Sequence, residues 1–141
     1  MRNTIKKIFV GMLTMAVMFI MSSACYAGTR DYMQTISLPS NQAWTTAGSG
    51  HRSGNFTFVI ARTHSVFPNS GVDNLYQCQC KITDTSGTRV CEDNYHVLDE
   101  MDSGYTHIPM REGYADTKDI LFKFRSDNNN SANAVVSYSA C

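Results

Sequence analysis

The stretch LYQCQCKITDTSGTRVC, residues 75–91, places three cysteines around a single turn, and its interpretation decides the fold. Its DTSG segment, with aspartate first and glycine last, is typical of a type I turn that joins two strands. With the threonine and serine at the tip of that hairpin, Cys80 and Cys91 face each other on neighbouring strands. Directly opposed Cβ atoms lie about 4.5–5.5 Å apart, which is near bridging distance. We therefore predict a disulfide bond between Cys80 and Cys91.

The N-terminal segment determines whether such bonds can form, because disulfides persist in oxidising compartments. Residues 1–27 begin with basic side chains, run apolar over positions 8–21 and end in small residues. This layout predicts a secretory signal peptide cleaved before Gly28, in an exported bacterial protein. An uncleaved anchor is the alternative, but the apolar run is shorter than the roughly 20 residues that span a bilayer. A lipid anchor on Cys25 is disfavoured, because Ser22 stands where a large aliphatic residue would be expected.

Export leaves an even number of cysteines in the mature chain, which favours disulfides. Cys78 lies two residues before Cys80 and on the same strand face, so its expected partner is the C-terminal Cys141. A Cys78–Cys141 bond would stabilise the fold by roughly 4 kcal/mol on loop-entropy grounds. Four cysteines allow three pairings, and the hairpin geometry favours this one. The C-x-x-C spacing that zinc sites and thiol redox centres commonly use does not occur.

The composition of the mature chain limits the possible partners. Residues 28–141 contain nine basic and twelve acidic side chains, a formal charge of −3. This length is that of one domain with a single modest core. Mild acidity without a basic run argues against nucleic acid or an anionic membrane surface as the partner. No segment of the mature chain is apolar enough to span a bilayer, so we expect one soluble extracellular domain.

Short extended runs separated by turn-rich segments fill the mature chain. The run DILFKFRS alternates Phe122 and Phe124 with Lys123 and Arg125, which predicts a strand with the phenylalanines inward. The run NFTFVIAR alternates in the same way, with its phenylalanines on one face. Seven or eight such strands, without an amphipathic helix above ten residues, predict an all-β fold. We expect an antiparallel β-sandwich of jelly-roll or immunoglobulin-like type, with a small barrel as the alternative.

Recognisable catalytic motifs are absent from the sequence, so we expect a protein that is not an enzyme and needs no cofactor. The histidines lack metal-ligand spacing, and there is no G-x-S-x-G motif. Asp99, Glu100 and Asp102 form a local acidic concentration that is a candidate calcium site, because hard cations take several oxygen ligands. A small secreted hydrolase is the remaining enzymatic alternative, and it would need two converging carboxylates.

Three aromatic residues are the candidate ligand-binding side chains. Trp44 is the one tryptophan, and Tyr105 and Tyr114 flank turn segments, where recognition residues are often found. The favoured interpretation is a non-catalytic binding module that contacts a carbohydrate, the cell wall or a protein. The alternative is a secreted effector that blocks a protein target, such as an inhibitor or a bacteriocin-like factor. An exposed aromatic strip would favour the first, and a protruding apolar patch would favour the second.

Overall fold

The computed structural model describes residues 33–52 and 56–141, so the predicted signal peptide and Cys25 lie outside the described residues. The strands are β1 (Gln34–Leu38), β2 (Thr45–His51), β3 (Phe58–Pro68), β4 (Gln77–Asp84), β5 (His96–Asp99), β6 (Thr106–Pro109), β7 (Asp119–Ser126) and β8 (Ala132–Ser139). They form two four-stranded antiparallel sheets, with the orders β1-β8-β3-β6 and β2-β7-β4-β5. The predicted all-β sandwich is therefore confirmed. The described part of the chain contains no helix that could cross a membrane.

The strand pairs are nested along the chain. β1 pairs with β8, β2 with β7, β3 with β6, and β4 with β5. The strands of the first half of the domain therefore pair, in reverse order, with those of the second half, as in one long antiparallel hairpin. The DTSG turn follows β4, near the end where the two halves are joined. Two further pairings, β3 with β8 and β4 with β7, join the segments of this long hairpin into the two sheets.

The core lies between the sheets and follows the two-residue alternation of the strands. Phe122 and Phe124 of β7 are fully buried, while Lys123 and Arg125 lie on the opposite face, as predicted. Tyr138 of β8 stacks on Phe122 with the ring centroids 4.4 Å apart, and this contact joins the sheets. The alternation of the core residues therefore leaves the intervening residues of β4 and β7 on the outer face of their sheet.

The β3 strand alternates as predicted, but its core face carries small and β-branched residues. Val59 and Ala61 belong to the buried cluster. Phe58 lies on the other face of the strand, where its ring centroid is 4.6 Å from that of His107 and 5.5 Å from that of Phe56. The phenylalanines of this run therefore pack on the outer surface of the sheet.

The DTSG turn forms, but the pairing beyond it is shifted by one residue. The amide of Gly87 donates to the carbonyl of Asp84 over 3.1 Å, and Gly87 has a φ of 93°. A left-handed residue after a type I turn adds one residue to the loop, so Thr83 pairs with Arg89. The ladder is then interrupted, because Cys91 forms a bridge with Met110 and β4 resumes its pairing only with β5, where Cys80 is opposite His96.

Neither predicted disulfide bond is present, since Cys78, Cys80 and Cys91 are free thiols in the core. The Cys78 sulfur lies 3.0 Å from the Thr63 hydroxyl, and the Cys91 sulfur accepts a hydrogen bond from the Ile82 amide over 3.3 Å. Burial raises the pKa of Cys78 to about 11 and also raises those of Cys80 and Cys91. The Cys80–Cys91 and Cys78–Cys141 predictions are therefore corrected, and these three cysteines pack as small apolar side chains.

Candidate functional site

A group of cationic and aromatic side chains occupies the outer face of the β2-β7-β4-β5 sheet. We define this basic platform as Trp44, Lys81, Arg89, Tyr95, Lys123 and Arg125. An open depression of about 500 Å³ is lined by Trp44, Lys81, Arg89, Asn94, Tyr95 and Arg125. Its size is within the usual range for ligand sites.

The strand register brings the lysines of the platform together. Lys81 of β4 and Lys123 of β7 are direct partners in the antiparallel pair, and Arg125 is partnered with Gln79 in the next outward row. These side chains point away from the core because Cys80 and the phenylalanines of β7 fill the inner positions. Like charges directly opposite each other on a sheet are destabilising, so the Lys81–Lys123 pair has an energetic cost in the free protein.

Two aromatic rings contact two of the four platform cations, Lys81 and Arg125. The Lys81 ammonium nitrogen lies 4.3 Å from the centroid of the Trp44 ring, and the Arg125 guanidinium carbon lies 4.5 Å from it. The same guanidinium carbon is 5.0 Å from the Tyr95 ring centroid. Each such contact contributes about 0.5–1 kcal/mol at an exposed site. Trp44 is half-buried, and its position indicates that it orients the cations.

Among the described residues, the two platform arginines have neutral hydrogen-bond partners, and no carboxylate pairs with a platform cation. Arg125 Nε donates to the Gln79 side-chain oxygen over 2.6 Å, and Arg89 donates to the Asn94 side-chain oxygen. Within residues 33–52 and 56–141, the contact between a basic side chain and a carboxylate is His51–Asp119, which lies outside the platform and is an ion pair only with a protonated histidine. The platform is therefore a patch of uncompensated positive charge within residues 28–141, whose formal charge is −3.

The surroundings of Lys81 lower its pKa. Its pKa is lowered first by burial and then by the positive charges of Lys123 and Arg125, with a smaller contribution from Arg89. A bound anion would favour the protonated form of Lys81 and would offset the repulsion among these cations. The arrangement can therefore bind a negatively charged group without any carboxylate competing for the same nitrogen donors.

The structure does not bring the three predicted aromatic residues together. Trp44 lies in the platform. Tyr105 lies beside β8, where its hydroxyl accepts a hydrogen bond from Ser137 Oγ over 3.2 Å. Tyr114 packs against the core cluster, with the Arg111 guanidinium carbon 5.4 Å from its ring centroid. A single ligand surface built from all three side chains is therefore not formed.

The candidate calcium ligands are directed toward different partners. Asp99 accepts hydrogen bonds from the Gln77 side chain and the Met101 amide. Glu100 accepts one from the Val66 amide over 2.8 Å and so connects the end of β5 to β3. No group of three or more potential ligands that include Asp99, Glu100 or Asp102 occurs in the described parts of the chain. The Asp99 and Glu100 carboxylates are engaged in turn and inter-sheet hydrogen bonds and do not converge with Asp102, so the candidate calcium site is corrected.

A serine–histidine contact lies on the outer face of the other sheet. His64 Nε2 is 2.8 Å from Ser137 Oγ, the separation expected of a nucleophile and its base. Ser137 is only 2% exposed, however, and its hydroxyl also contacts Tyr105. A substrate carbonyl has little access to this oxygen, so the pair does not make a strong hydrolase site.

The alternation of residues along β4 and β7 places cationic side chains of the platform on one face of each strand, although the sequence analysis did not predict the platform. The outward positions of β4 and β7 carry Lys81, Lys123 and Arg125, which a period-two analysis identifies as one polar face on each strand. The missing information was that β4 and β7 are neighbours, because they are far apart in the sequence. Comparisons with known protein families, curated proteins and solved structures found no match to this chain.

Proposed function

We propose that this protein is an exported, non-catalytic binding module whose ligand carries negative charge. The observation that supports the proposal most strongly is the basic platform, in which cations without carboxylate partners are held by aromatic rings on an open sheet face. Lysine and arginine donate strong, charge-assisted hydrogen bonds to carboxylate, sulfate and phosphate oxygens. An anion therefore supplies the counter-charge that the platform lacks.

The strand order is consistent with this interpretation. Nested pairs from β1–β8 to β4–β5, divided between two four-stranded sheets, have the order of a jelly roll. Lectin domains are among the proteins built on this architecture, and they bind their ligands without chemistry. The same architecture carries unrelated functions, so the proposal depends on the platform and not on the fold.

A second candidate function, the blocking of a protein target, is supported by an apolar surface at another edge. Tyr76 and Met101 are 56% and 81% exposed, and they line an open depression of about 340 Å³. Exposed large apolar side chains of this kind often mark protein contacts. Asp99 and Asp127 also line this depression, so its charge differs from that of the platform.

Binding to immobilised ligands tests the first function directly. The full chain, purified after export, is applied to carboxylated, sulfated and phosphorylated matrices and to neutral matrices of the same backbone. We expect retention on charged matrices and loss of retention in the Lys81→Gln/Lys123→Gln variant. The Arg111→Gln/Lys118→Gln variant removes the same charge outside the platform and should be retained like the wild type. Retention that is equal for both variants, or absent on every charged matrix, contradicts the proposal.

A further inference from the structure

We infer that the ligand of the basic platform is an extended acidic polysaccharide that lies across β7 and β4 and presents more than one anionic group. This inference depends on the proposed function and specifies the class of ligand. Its starting point is the arrangement of the cations, which are distributed over two strands and the adjoining hairpin.

The cations occupy more than one position along the sheet. Lys81 and Lys123 form one cross-strand pair, and Arg125 lies in the next outward row, roughly 7 Å further along the strands. Arg89 lies beyond the turn, where it pairs with Thr83. One carboxylate or sulfate is only a few ångströms wide and can neutralise two or three of these cations at once. The cations that this group does not neutralise would be neutralised by a second anionic group on the same ligand.

The shape and the polar groups of the surface favour a chain of sugars. The depression is an open feature of a sheet face, so a polymer can enter and leave across the strands. The exposed Asn94 contacts Arg89, and the exposed Thr46 of β2 is partnered with Lys123. Neutral amides and hydroxyls interspersed with cations match a ligand that alternates hydroxyl groups with acidic groups.

Nucleic acid is less well matched than an acidic glycan. The Trp44 ring contacts two cations and the Tyr95 ring contacts one, which leaves less aromatic surface for the base stacking that single strands use. Outside the platform, residues 28–141 carry five basic and twelve acidic side chains. This surface would repel any polyanion that extends beyond the platform, whether nucleic acid or glycan, so the occupied aromatic rings are what distinguish the two ligands.

A length series distinguishes an extended ligand from a single anion. Binding of the full chain is measured by calorimetry with galacturonate oligomers and heparin-derived oligosaccharides of one or two, four and eight sugars. Neutral cello-oligosaccharides of matched length serve as the uncharged control, and an eight-nucleotide oligo-dT as the non-sugar polyanion. We expect at least a tenfold gain in affinity from the shortest to the longest member of one acidic series.

The variants and the controls separate the possible failures. The Lys81→Gln/Lys123→Gln variant should lose at least tenfold in affinity for the eight-sugar ligand, and the Arg111→Gln/Lys118→Gln variant should keep it. Equal affinity for short and long acidic sugars overturns the extended ligand while leaving the proposed anion-binding function intact. Oligo-dT binding as tight as that of the sugars overturns the assignment to polysaccharide. Failure of every anion to bind overturns the proposed function itself.

Discussion

At the scale of single residues, the repulsion between Lys81 and Lys123 gives a test that needs no ligand. We expect Lys123→Gln to raise the free energy of unfolding by about 0.2–1 kcal/mol at low salt, because a like-charge pair across two strands is removed. The gain should shrink in high salt, which screens exposed charges. Urea unfolding measures both effects, with Lys118→Gln as the exposed-lysine control. A loss of stability in Lys123→Gln would show that its charge is already compensated in the free protein.

The lowered pKa of Lys81 predicts how anion binding depends on pH. Lys81 loses its proton at a lower pH than an ordinary lysine of pKa 10.5, chiefly because it is partly buried. Affinity for an anion should therefore fall as pH rises through the depressed pKa, before a normal lysine would discharge. Arginine remains protonated throughout this range, so Lys81→Arg should move the alkaline limb of the binding curve to higher pH. If the alkaline limb of the binding curve lay at the same pH in the wild type and in Lys81→Arg, the loss of binding would be due to another titrating group.

The lowered pKa of Lys81 also makes the stability of the folded protein depend on pH. Because the folded pKa of Lys81 is below the unfolded one, the protonated form is disfavoured in the folded state. The penalty is complete below the folded pKa and is relieved as pH rises through the window up to the unfolded value. The contribution of Lys81 to stability therefore increases across that alkaline window.

Arg52 is a buried cation with a structural function. It is 2% exposed, and its guanidinium donates hydrogen bonds to the carbonyls of Phe56, Ala115 and Thr117. It thereby attaches the loop before β7 to the end of β2. Because three charged hydrogen bonds to partly buried carbonyls would be lost, we expect Arg52→Met to lower the free energy of unfolding by about 3 kcal/mol. Chemical denaturation measures this, and the exposed Arg111→Met should change it by less than about 0.5 kcal/mol.

At the scale of elements, the hairpin depends on the backbone of one glycine. Gly87 has a φ of 93° with nothing within 4 Å of an added Cβ, so the cost of a side chain there is backbone strain alone. We expect Gly87→Ala to destabilise the protein by about 1–2 kcal/mol, because L-residues disfavour this region. Gly104 also has open space but no positive φ, so Gly104→Ala is the matched control. Equal thermal stability of the two variants would contradict the role given to Gly87.

The same hairpin shows why a correct turn motif can be combined with a wrong pairing. Asp84 stabilises the turn by accepting hydrogen bonds from Ser86 and from the Thr88 amide, and these contacts are local enough to be read from DTSG. The left-handed Gly87 adds one residue to the loop, and the chain then leaves β4, so that Cys91 bridges Met110 and Cys80 pairs with His96. The predicted Cys80–Cys91 bond is wrong because it requires an uninterrupted hairpin with a two-residue loop.

At the scale of the whole molecule, the three core thiols report on global unfolding. Cys78, Cys80 and Cys91 are buried with raised pKa values, so neither solvent access nor thiolate formation favours their reaction in the native state. We expect slow alkylation of these thiols in native buffer and complete alkylation in denaturant without a reductant. Mass spectrometry of the labelled peptides measures each cysteine separately. If the Cys80 and Cys91 peptides remained linked in denaturant, a disulfide bond between them would be shown and the free thiols of the structure contradicted.

The charges of the protein are unevenly distributed over its surface. The formal charge of −3 for residues 28–141 argues against polyanionic partners only if the charges are evenly mixed. The fold instead collects Lys81, Arg89, Lys123 and Arg125 on one sheet face. Polyanionic partners, which the overall composition disfavours, are therefore the partners that match the charge of this one sheet face.

The sequence by itself determined the strands, the inward position of Phe122 and Phe124, and the DTSG turn, because neighbours along the chain set these features. Tertiary structure decided the rest. Strand pairing placed Lys81 opposite Lys123, directed Glu100 to the Val66 amide, and separated Tyr105 and Tyr114 from Trp44. The physical reason is that side-chain partners across a sandwich depend on register and strand order, which local patterns leave open.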